Sequence, residues 1–134
     1  MLSQIIAALP PFHPLLELRL HDYDGAHYIT WANTGPGALC SWVEMLHNYE
    51  WRLREFTEQL IERRTTGRRG TPHELTRREL ESLVKESQRD VDMARRWAVD
   101  TATLLTFDEL ATVREHAPAS VRLFAMQYHP TLTP

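Results

Sequence analysis

The sequence predicts an α+β fold, mainly α, with an N-terminal β-hairpin packed on a bundle of three to four helices. Three observations predict it: period-two alternation around Asp24-Gly25, a helical stripe from Leu39 to Leu60, and the absence of proline and glycine from His73 to Ala117. At 134 residues the chain is expected to be a single domain, 1–134.

In "LLELRLHDYDGAHYITWAN", Asp24-Gly25 reads as a two-residue hairpin loop within a hairpin of about 16–33. That loop pairs Leu20 with Ile29 and Leu18 with Trp31, so Leu18, Leu20, Ile29 and Trp31 should form one buried face. A first helix, about 38–64, follows "NTGPG"; its stripe is Leu39, Trp42, Val43, Leu46, Tyr49, Leu53, Phe56 and Leu60. Trp51 lies nearly opposite that stripe. A second helix, about 72–104, is expected after "TTGRRG", with Thr71 as N-cap, Pro72 in the first turn and Glu74 closing a capping box. Its stripe is Leu80, Leu83, Val84, Val91, Ala94, Trp97, Ala98 and Leu105. Thr106 and Glu109 repeat the capping pattern and open a third helix, about 107–116. Segment 118–129 fits a strand or a helix, and the helix, with Val121, Phe124 and Tyr128 on one face, is preferred.

Hydrophobic content of 43% and charged content of 25% are those of an ordinary soluble globule, against disorder or a membrane bundle. The opening "MLSQIIAALPPFHP" has no basic start, and its apolar run breaks at Pro10, so neither a signal peptide nor a membrane span is expected. The single cysteine, Cys40, excludes an internal disulfide and fits a reducing, cytoplasmic setting. A net charge of −3 excludes a uniformly basic binder but permits a local patch.

That patch is "RRTTGRRGTPHELTRR", where Arg63, Arg64, Arg68, Arg69, Arg77 and Arg78 stand against the single acid Glu74. Guanidinium forks suit phosphate oxygens, and a following helix N-terminus favours anions. The alternative is a solvated corner whose arginines pair with nearby glutamates. A second candidate is the recognition face His47, Asn48, Trp51, Glu55, Glu58 and Glu62, where an indole stands among carboxylates. Such a row could hold a divalent cation if Glu86 and Asp90 of the second helix faced it. All-helical nucleotide pyrophosphohydrolases use an E-x-x-E helix facing an E-x-x-D helix; "EFTE" meets the first half, and "ESQRD" has the wrong spacing for the second. Seven histidines show no paired-ligand spacing, so no metal site is predicted. Neither a nucleophile elbow nor a phosphate-binding glycine loop is present. No catalytic residue and no cofactor are assigned, and whether the chain is an enzyme stays open.

Residues 30–74 resemble a segment of a phage-associated family labelled pyrimidine dimer DNA glycosylase. The matching positions are Thr30, Asn33, Trp42, Val43, Asn48, Tyr49, Trp51, Glu62, Gly67, Arg68 and His73. Trp31 stands where that family has a histidine, "TGPGALCS" replaces a short connection, and the family's longer N-terminal half has no counterpart. No catalytic residue carries over. "LTRRELESLVKESQRDV" resembles the first two helices of a helix-turn-helix repressor, with Glu81 in place of the small residue and Lys85 in place of the turn glycine, so one continuous helix is expected.

Both resemblances and the arginine patch imply a small nucleic-acid-associated protein of phage or mobile-element type that contacts DNA or nucleotide phosphates. The alternative is a protein-binding regulator or inhibitor whose acidic, Trp51-bearing face meets a basic partner. A third reading is a small helical nucleotide-acting hydrolase. No membrane partner is expected.

Overall fold

The computed structural model describes residues 13–20, 24–66 and 75–130, apart from the side chains of Thr65 and Thr66. Strands β1 (Leu16–Leu20) and β2 (His27–Trp31) form an antiparallel hairpin, followed by helices α1 (Gly35–Thr66), α2 (Arg77–Thr103), α3 (Phe107–His116) and α4 (Ala119–Tyr128). The predicted class, mainly helical with an N-terminal hairpin, is the observed one.

The hairpin register differs from the expected one by two residues. Leu16 is opposite Trp31, Leu18 opposite Ile29 and Leu20 opposite His27. A two-residue loop of the expected type needs positive φ at both central residues. Only Gly25 has it, at 70°. Asp24 instead accepts the Ala26 N–H on its carboxylate at 2.9 Å, a local turn that lengthens the connection. Because a shift of two preserves the side-chain faces, the alternation survives.

The expected buried face does not. Leu18 and Leu20 are about half exposed, at 50% and 55%, while Trp31 packs on the core and Leu15 is fully buried. The hairpin is held at its base, where the Ala32 N–H donates to the Leu15 carbonyl at 2.8 Å, and burial falls away toward the loop.

Helix α1 starts where Thr34 accepts the Gly37 N–H on its hydroxyl at 3.1 Å. Gly37 is required there: a Cβ would overlap the Ala32 carbonyl. Leu39, Val43, Leu46 and Leu60 of the predicted stripe are buried. Trp42, Tyr49, Leu53 and Phe56 are only partly covered.

Helix α2 has a capping box five residues after the expected one: the Thr76 hydroxyl accepts the Glu79 N–H and the Glu79 carboxylate accepts the Thr76 N–H, both at 3.1 Å. Thr71, Pro72 and Glu74 lie outside the described residues. From Arg77 through Val91 the helix is unbroken, so the helix-turn-helix resemblance is not realised, as Lys85 in place of a turn glycine foretold. Trp97 was expected in the core stripe and is 49% exposed. Successive residues turn by about 100°, which puts Trp97 outward of Ala94 and Ala98, the residues that do become buried.

The capping box of the third helix forms as read, with the Thr106 hydroxyl accepting the Glu109 N–H at 3.1 Å. Leu105 and Leu110, flanking it at staple spacing, are both buried. Segment 119–128 is the preferred helix, and after it the His129 Nε2 lies 2.9 Å from the Leu105 carbonyl in a buried setting.

Expected as one domain, the chain divides into two compact units that share α1 and α2. The first comprises residues 1–43 and 98–134. Its core joins Leu15, Leu39, Cys40, Val43, Ala98, Ala102, Leu110, Val113, Val121 and Ala125, with Trp31, Trp42, Phe124 and Tyr128 packed against it. The second is the stem, Glu44–Trp97, built from the remainder of α1 and α2.

Two outcomes follow for chemical denaturation. Trp42→Ala removes a ring packed on the core and should cost about 2 kcal/mol, below the about 3 to 5 of a fully buried indole, whereas Trp51→Ala should stay within about 0.5 kcal/mol. Gly37→Ala should cost about 1 to 3 kcal/mol by driving a methyl group into the Ala32 carbonyl.

Candidate functional site

Two features of the stem carry the chemistry: an arginine-bearing end and a cleft between its helices. At the end, the last turn of α1 contributes Arg63 and Arg64 and the first turn of α2 contributes Arg77 and Arg78. Arg64, Arg77 and Arg78 are exposed, and Arg63 is partly covered. Arg68 and Arg69 lie outside the described residues.

Arg64 and Arg77 converge on one carboxylate, the pairing with a nearby glutamate that the sequence offered as the alternative to phosphate contact. A terminal nitrogen of Arg64 lies 3.3 Å and Nε of Arg77 3.1 Å from the same Glu81 oxygen. The hydrogen bond from Arg64, then that from Arg77, holds the Glu81 carboxyl below its ordinary value of 4.5. Glu81 falls outside the arginine-rich window of the sequence. Its pairing with Arg77 was readable as an i, i+4 contact, but its pairing with Arg64, seventeen residues away, was not.

The cleft, about 470 Å³, is lined by Glu50, Leu53, Arg54, Thr57 and Glu58 of α1 and by Gln88, Val91 and Arg95 of α2. Leu53 and Val91 supply its apolar walls. Its rim carries two carboxylates and two guanidiniums, and none of Glu50, Arg54, Glu58 or Arg95 belongs to an ion pair formed between described residues. The Thr57 hydroxyl donates to the Leu53 carbonyl at 2.6 Å, and Gln88 donates to Asp92 at 3.1 Å. With carboxylates and guanidiniums both on its rim, the cleft presents mixed charge to whatever enters it.

Of the expected recognition face, only Glu58 lines the cleft. Trp51 is 58% exposed and lies at helical spacing from Arg54 and Glu58, which places it on the cleft's outer shoulder. His47, Asn48 and Glu62 are exposed, and Glu55 is partly covered. Glu86 and Asp90 do not face the carboxylate row. The cleft wall of α2 is Gln88, Val91 and Arg95, and helical spacing sets Glu86 and Asp90 on the other side of the helix. Among the described residues no three His, Cys, Asp or Glu side chains gather as a metal site. None of the helices among those residues is long and apolar enough to cross a membrane.

Gln88 and Arg95 were missed by the sequence reading, because only the pairing of α1 with α2 brings them to Arg54 and Glu58. Comparison of the chain with protein-family models, curated proteins and solved structures found no match.

The lowered Glu81 carboxyl has a checkable consequence. Its favourable pairing is present above the ordinary glutamate range and is lost as pH falls through the lower folded value. Carbon-detected NMR titration should find Glu81 titrating below the ordinary glutamate range, and Arg64→Ala should move it back up.

Proposed function

We propose that this chain is a nucleic-acid-associated binding module that contacts phosphates through the arginine-bearing end of its helical stem. The observation that supports it is the convergence of Arg64 and Arg77, one from each helix, on the Glu81 carboxylate. Carboxylate and phosphate oxygens are recognised by the same guanidinium fork, so two helices already aim two forks at an anion position. Arg63 and Arg78 flank that position in sequence and add positive charge. The partial resemblance of residues 30–74 to a phage-associated DNA glycosylase family points to the same class of partner.

A second reading is favoured by Trp51, which stands 58% exposed beside a cleft of mixed charge. Exposed indoles next to polar groups are common anchors in protein interfaces. On that reading the chain is a regulator or inhibitor that grips a basic protein segment.

Fluorescence anisotropy with a duplex oligonucleotide, repeated across a salt series, separates the two. Phosphate contact predicts that Arg64→Ala with Arg77→Ala weakens binding and lowers the salt slope by about two, near one for each lost contact. Glu81→Gln, which removes the competing anion, should strengthen binding. No DNA binding by the wild type, or an affinity indifferent to all three changes, leaves the protein-binding reading, for which Trp51→Ala is the decisive variant.

A further inference from the structure

We propose that the stem, residues 44–97, is half of a four-helix bundle that a second copy of this chain completes. Two helices lying side by side share one line of contact, so a two-helix stem covers only a narrow strip of each apolar stripe. Here that line is Leu46 and Leu60 with Leu80, Ser87 and Ala94. To one side of it lies the charged cleft. To the other side, helical spacing places Tyr49 and Phe56 of α1 with Leu83, Met93 and Trp97 of α2. These five are large and apolar. Four are only partly covered, and Trp97 is 49% exposed.

The charges bordering this face select the occupant. Beside Tyr49 and Phe56, the α1 edge carries Arg52 and Arg63, and Arg52 lies over the Tyr49 ring at 5.9 Å. On α2, Glu86 and Asp90 fall within the face, between Leu83 and Met93 and on either side of Trp97. The face is therefore basic along one helix and acidic along the other. A nucleic acid or a uniformly basic partner would match one edge and repel the second. A second copy related by a two-fold axis parallel to the stem lays the α1 edge of each copy on the α2 edge of the other, so both edges meet their opposites.

One position further out the signs exchange, with Glu55 on α1 and Arg89 on α2, and the same two-fold matches these as well. The heights agree. Carrying the Arg64–Glu81 contact down the antiparallel stem sets Arg52 level with Met93 and Arg63 level with Ser82, each within about one helical turn of Asp90 and Glu86 respectively. Nothing in this depends on what the arginine-bearing end binds.

Sedimentation equilibrium of the full chain over a concentration series tests the proposal. The wild type should show twice the mass of one chain. Arg52→Glu and Asp90→Arg should each raise the dimer dissociation constant at least tenfold with the circular dichroism unchanged. Mixing these two variants, or combining them in one chain, should restore the dimer, because the reversed charges face each other across the two-fold. Arg64→Ala should leave the mass unchanged whatever it does to DNA binding. A wild type that stays monomeric at all concentrations overturns the proposal, and so does a dimer that survives both single reversals or one that the combined variant fails to restore.

Discussion

A pair of helices can share only one line of contact, and most of what distinguishes the two units of this chain follows from that limit. Helix α1 has a similar apolar pattern along its whole length. In the first unit its residues meet the end of α2, the hairpin base, α3 and α4, so Leu39, Cys40 and Val43, which share one broad face of the helix, are all buried. Within the stem α1 pairs with α2, and the same pattern gives a buried Leu46 and Leu60 beside partly exposed Tyr49, Leu53 and Phe56. Burial along a single helix thus reports how many layers surround it rather than how apolar it is.

The legible parts of the fold were those written in local chemistry. Thr106 with Glu109 names a helix start because donor, acceptor and carboxylate all sit within one turn, and the helix starts there. Alternation on both sides of Asp24-Gly25 names a hairpin for the same reason. The hairpin's register was less legible, since it depends on whether Asp24 takes a left-handed backbone or uses its carboxylate on Ala26, and the dipeptide permits either. Trp97 was misplaced for a different reason. A stripe drawn through Leu80 to Leu105 is wide enough for two neighbours, and nothing in the residues of α2 says that the stem offers only one.

The candidate site divides along the same boundary. Trp51 was legible as an indole off the stripe, because its position depends on one helix alone. The cleft was not, since Arg54 and Glu58 meet Gln88 and Arg95 only through the antiparallel pairing of α1 and α2. The arginine patch was half legible. Counting charges over 63–78 gives a strongly basic segment, yet Glu81 lies just beyond that window and reaches back to both helices.

Glu81 also bears on which phosphate ligand the arginine-bearing end would suit. A carboxylate attached to the same helix competes at high effective concentration with any single phosphate that approaches Arg64 and Arg77. A free mononucleotide must displace it with few contacts in return. A nucleic acid backbone presents a row of anions, can leave Glu81 in place while it engages Arg63 and Arg78, and releases condensed counterions as each contact forms. The arrangement therefore discriminates by number rather than by shape. On the proposed reading it would be a poorer trap for one phosphate than for a chain of them, which puts a polymer ahead of a nucleotide as the ligand.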